Sequence, residues 1–131
     1  MPITVRWDNE KQTIIYQQYV GQWTLDDLRA SFDVTYDLIN STDQLTVIHI
    51  IADVSESQFP NREIFSVAEY YKEKKHPKQG IYVVVGSNTI LSGMRMITRV
   101  ARVLIPQAQT VQFAPTVEKA RIYLQQKANS V

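Results

Sequence analysis

The chain has 131 residues, with 14 Lys+Arg against 13 Asp+Glu and a formal net charge of +1. Its 44% apolar and 21% charged residues fit one globular domain, which at this size buries roughly two-thirds of its unfolded surface without a covalent staple. The absence of cysteine excludes disulfides, thiolate metal sites and cysteine nucleophiles. Residues Met1 to Asp8 lack the basic-then-apolar order of a signal peptide. The aliphatic runs fall far short of the about 18 residues that span a bilayer. The expectation is a single cytoplasmic domain over residues 1–131 that does not insert into a membrane.

Thr4-Val5-Arg6-Trp7 alternates as a short strand and gives way to the turn cluster Asp8 to Lys11. Thr13 to Val20, rich in β-branched and aromatic residues, reads as its antiparallel partner, stopped by Gly21. Thr24 is the expected N-cap of a first helix, with Asp27 three residues on as a capping-box variant. Trp23 and Leu28 stand at hydrophobic-staple spacing. Leu25, Leu28, Phe32, Tyr36 and Ile39 recur at steps of three and four, predicting one buried face to about Asn40.

Leu45 to Val54 is nearly all apolar, the mark of a strand covered on both faces, and polar Ser55 to Gln58 follows it. Asn61 is placed to cap a second helix, with Ile64, Phe65, Ala68 and Tyr71 inside and His76-Pro77 at its end. Ile81 to Val85 is the strongest strand signal. Gly86-Ser87-Asn88 turns into a third helix, where Ile90, Met94, Ile97, Ala101 and Leu104 keep helical spacing up to Pro106. Thr110 to Phe113 is a last short strand, and residues 116 to about 127 form a final amphipathic helix through Val117, Ala120 and Leu124. The order β-β-α-β-α-β-α-β-α predicts an α/β fold: a mixed, mostly parallel central sheet with an N-terminal hairpin and four helices.

This order, at this length, resembles the STAS domain of sulfate transporters and anti-sigma factor antagonists. Residues 45 to 71 carry the motif-like part. In that family a buried strand ends in Asp, and a short loop leads to Asp-Ser/Thr-Ser-Gly-Leu at a helix start, where a kinase modifies a hydroxyl. Asp53-Val54-Ser55 resembles the strand end, and Phe59 falls where the family often has an aromatic. Asn61-Arg62-Glu63-Ile64-Phe65 then occupies the phosphorylation motif. Asn61 stands for the Asp, and Arg62 and Glu63 stand for the hydroxyl residues, so the phosphorylatable serine is not retained. The resemblance implies a non-enzymatic protein-interaction module with a surface of Ser55, Ser57, Phe59, Asn61, Arg62 and Glu63. Glu63 either imitates the charge of a phosphoserine, roughly −1.5 to −2, or is simply an acid in the first turn after an N-cap.

Other constellations give alternatives. Open α/β sheets bind ligands at strand carboxyl ends, which makes Asp53, Gly86, Ser87 and Asn88 a candidate anion or nucleotide site. Arg95, Arg99 and Arg102 share one helical face as a basic patch. Without interleaved aromatics that patch does not favour nucleic acid, and it reads better as a solvated stripe or as a match for the acidic first half of a second copy. Residues 1–57 hold nine acids and three bases, and residues 58–131 hold eleven bases and four acids, so the halves either neutralise each other within one fold or give a homodimer a basis in charge. His49, inside the apolar strand, reads as a hydrogen-bonded core histidine. A triad of Ser55, His49 and Asp53 would need same-strand neighbours to converge. No cofactor or metal is expected, and the partner is a regulatory protein or a second copy.

Overall fold

The computed structural model describes residues 2–42, 47–58, 79–86 and 111–129. Strands β1 (Ile3–Trp7) and β2 (Ile14–Gln22) form the antiparallel hairpin, in register from Ile3 opposite Tyr19 to Trp7 opposite Ile15. Asn9 closes the turn between them. Its Oδ1 accepts from the Thr13 and Ile14 N–H groups at 3.0 and 3.3 Å, and its Nδ2 donates to Thr13 Oγ1 at 2.7 Å. Gln12 completes the turn in the left-handed region, with φ 56°. Gly21 does not stop β2, as its sequence position had suggested. It takes a φ of 65° that glycine tolerates, and the strand continues to Gln22 along β3.

Helix α1 (Leu25–Ser41) begins as its cap predicts. Thr24 Oγ1 accepts from Asp27 N at 3.1 Å, and Asp27 Oδ2 accepts from Thr24 N at 2.9 Å. Asp26 and Asp27 in the first turn also suit the positive end of the helix dipole. Trp23 and Leu28 are buried in one cluster, as the staple requires. Leu28, Phe32 and Ile39 are buried, as are Ser31 and Thr35, and Tyr36 is half-buried.

Strand β3 (Ile48–Gln58) runs four residues past its expected end. Ser55 to Gln58 are strand because β2 extends beside them, pairing Val20 with Glu56 and Gln22 with Gln58. Polar residues there had suggested a loop, but backbone pairing is indifferent to side-chain polarity at a sheet margin. Strand β4 (Gln79–Val85), strand β5 (Val111–Ala114) and helix α2 (Val117–Asn129) complete the described elements. Thr116 caps α2, its Oγ1 accepting from Lys119 N at 3.2 Å. The second and third helices expected from the sequence fall outside the described residues, so the architecture established is α/β with a mixed five-stranded sheet and two helices.

The sheet order is β1-β2-β3-β4-β5, antiparallel for the first pair and parallel for the rest. Alternation then divides the core. Helix α1 covers Ile3, Ile15, Tyr19, Ile50, Ala52, Val54 and Val84 on one face. On the other, Ala120 and Leu124 of α2 pack on Ile14, Tyr16, Ile51, Val83, Val85 and Ala114. Burial on both sides explains the unbroken apolar run of β4.

Candidate functional site

At the carboxyl end of β3, the pairing with β2 slips. Gln18 lies opposite Asp53 but Val20 lies opposite Glu56, so β3 carries an extra residue in a bulge at Val54 and Ser55. Bulges free a backbone N–H, and the Asp53 side chain takes it: Oδ1 accepts from Ser55 N at 3.1 Å. The same oxygen accepts from Ser55 Oγ at 2.6 Å, while Oδ2 accepts from the Tyr16 hydroxyl at 2.7 Å. The buried carboxylate is thereby held by three donors of its own chain. Ser55, whose proton is committed to Asp53, turns oxygen lone pairs toward solvent, and Glu56 beside it is exposed as well.

Tyr16 links this strand end to a charged cluster. The Arg6 guanidinium sits over its ring, 5.1 Å from the centroid. Burial, then the hydrogen bond to Asp53 and that carboxylate's charge, push the phenol up to about 12, against the pull of Arg6 and Arg121. Arg121 reaches from α2 to Asp8 through two bonds, Nε to Oδ2 at 2.9 Å and Nη2 to Oδ1 at 2.6 Å. That hydrogen-bonded pair raises the guanidinium pKa further, so the charge is permanent. The sequence pattern marks Tyr16 only as an alternating strand residue. Nothing in the pattern joins Asp8 to Arg121, because 113 residues separate them.

The expected site residues divide as follows. Asp53 and Ser55 come together at the strand end and touch. Ser57 is buried, its Oγ donating to the Val54 carbonyl at 3.0 Å. Gly86 lies just past Val85, which pairs with Asp53, so it shares that end of the sheet. Its N–H donates to the Ala114 carbonyl at 3.4 Å. Phe59, Asn61, Arg62, Glu63, Ser87, Asn88, Arg95, Arg99 and Arg102 lie outside the described residues. His49 is hydrogen-bonded, as expected of a core histidine, but to the backbone of β4 through Ile81 N. Four residues of strand, ~13 Å, separate it from Asp53, so Ser55, His49 and Asp53 do not assemble as a triad.

A second polar network lies on the α1 face. Gln17, fully buried, donates from Nε2 to Thr35 Oγ1 at 2.9 Å and accepts at Oε1 from the Tyr19 and Tyr82 hydroxyls, each at 3.1 Å. Thr35 Oγ1 in turn donates to the Ser31 carbonyl at 2.8 Å. Burial pushes the Tyr19 phenol up to about 12 although hydrogen bonds with Tyr82 and Ser31 oppose it.

Among the described residues, no group of three or more His, Asp or Glu is placed to hold a metal ion, and no helix is long and apolar enough to cross a membrane. No family model matches the chain, and no curated protein matches it either.

Proposed function

We propose that the chain is a non-enzymatic regulatory module that binds another protein, similar to an anti-sigma factor antagonist without its phosphorylatable serine. The order of strands and helices supports the likeness. The observation that carries the proposal is the carboxyl end of β3. There the Asp53 carboxylate is occupied by Tyr16 and Ser55, while the Ser55 and Glu56 oxygens face outward on a backbone fixed by pairing with β2. A carboxylate so engaged is a scaffold for contact more than an acid or base awaiting substrate. The exposed acceptors suit a partner that brings donors, such as Arg or Lys side chains.

In this reading the surface comprises Ser55, Phe59, Asn61, Arg62 and Glu63, and the buried Ser57 does not reach it. A cytoplasmic setting and a regulatory protein or second copy as partner belong to the same proposal. Binding of an anion near Asp53 and Gly86 has less support. A carboxylate lies at that strand end, and the Gly86 N–H already has the Ala114 carbonyl.

The test is affinity capture from the native cells with wild type, a Ser55→Ala variant and a combined Asn61→Ala, Arg62→Ala, Glu63→Ala variant. A specific regulatory protein should be retained by wild type and reduced at least about tenfold by the triple variant, at an unchanged melting temperature. Equal retention by all three folded proteins would refute the surface. Saturable binding of phosphate, sulfate or a nucleotide, seen as a thermal shift, would favour the anion reading instead.

A further inference from the structure

At the other end of the sheet, β4 carries two residues where one would pair. Ile48 lies opposite Gln79 and Ile50 opposite Tyr82, leaving Gly80 and Ile81 both against His49. Such a bulge frees an N–H, and His49 Nδ1 accepts it from Ile81 at 2.9 Å. Gly80 makes room for the ring. A Cβ there would stand 2.5 Å from Nδ1 and 2.7 Å from Cε1, and would also strike Val47 Cγ1. Accepting at Nδ1 requires the neutral imidazole, with its proton on Nε2.

We propose that His49 is a pH-sensitive pin for the start of β4: the neutral ring holds the bulge in register, and protonation releases it. A proton on Nδ1 would set two donors facing each other across 2.9 Å, so the ring or the strand must move. Among the described residues, the titratable and charged groups on the face that His49 shares include Arg6 on β1, Asp8 after it, Tyr16 on β2, Asp53 on β3, and Arg121 and Tyr123 on α2, while β4 presents Ile81, Val83 and Val85. Burial lowers the ring's pKa below the usual value. The unfolded chain therefore binds the proton first, and this part of the stability is complete above about pH 6.5 and is lost as pH falls below it. The pin stands at the amino ends of β3 and β4, away from the Ser55 surface, and does not depend on the interaction reading.

Amide hydrogen exchange of the whole chain, followed by NMR alongside the His49 ring titration, tests the pin. Expressed as protection factors, Ile81 should lose at least about tenfold relative to Val84 across the pH range in which the ring protonates. A His49→Asn variant, whose Oδ1 can accept the same hydrogen at any pH, should keep the Ile81-to-Val84 ratio constant. Three results would overturn the proposal: an unchanged ratio in wild type while the ring titrates, loss of protection at Ile81 and Val84 together, or the same pH response in His49→Asn. If that variant does not fold, the wild-type ratio decides.

Discussion

Gln17 shows how a polar residue can hold a core together. On the α1 face it stands among Ile15, Tyr19 and Ile50, yet each of its side-chain polar atoms has a partner in α1, β2 or β4. Replacing it with Leu keeps the volume but removes the acceptor that the Tyr19 and Tyr82 hydroxyls share and the donor to Thr35 Oγ1. We expect Gln17→Leu to cost about 2 kcal/mol in urea unfolding, with an unchanged slope. Gln17 was not singled out by the sequence pattern, where it stands beside a second glutamine in the strand. Nor were its partners, since Thr35 lies on a helix and Tyr82 comes 65 residues later.

Among elements, the hairpin is the clearest case of local sequence determining local form. Asn9 supplies the side-chain bonds of the turn, but position 12 has a left-handed φ with a glutamine in it. A Gln12→Gly substitution removes the Cβ penalty and returns part of the gain as unfolded-chain entropy. The net expectation is a gain of about 0.5 kcal/mol, a rise of one to a few degrees in Tm. Helix α1 was legible for the same reason, since its cap, its first-turn acids and its periodic stripe all act within a few residues, and α2 was legible from its stripe. The two bulges beside β3 were not, because pairing register is settled between strands. Neither the run from Leu45 to Val54 nor Ile81 to Val85 says which residue will lack an opposite number. The candidate site suffered similarly. Asp53 and Ser55 could be singled out from their place at a strand end, whereas Tyr16 became their partner only through the sheet.

For the molecule as a whole, the titration of buried groups bounds the pH range of the fold. Tyr16 and Tyr19 both have phenols pushed up to about 12, Tyr16 by burial and Asp53, Tyr19 by burial. The unfolded chain loses these protons near pH 10, so folded stability is intact below that value and falls as pH rises toward about 12. Absorbance titration at the phenolate band should show at least two of the seven tyrosines still protonated above pH 11 in the folded protein. Tyr16→Phe should remove one of them, and all seven ionising together near pH 10 in a folded sample would contradict the burial assigned to them.

The bidentate clasp between Asp8 and Arg121 is also a late event in assembly. During synthesis, the hairpin and α1 are made early, but the contacts of Ala120 and Leu124 with the Ile14–Val85 side of the sheet have to wait for α2. Among the described elements, α2 is made last, and a pairing that spans 113 positions closes only then. Until that moment Ile14, Tyr16, Ile51, Val83, Val85 and Ala114 lack their contacts with Ala120 and Leu124, which leaves apolar surface of the kind that promotes aggregation.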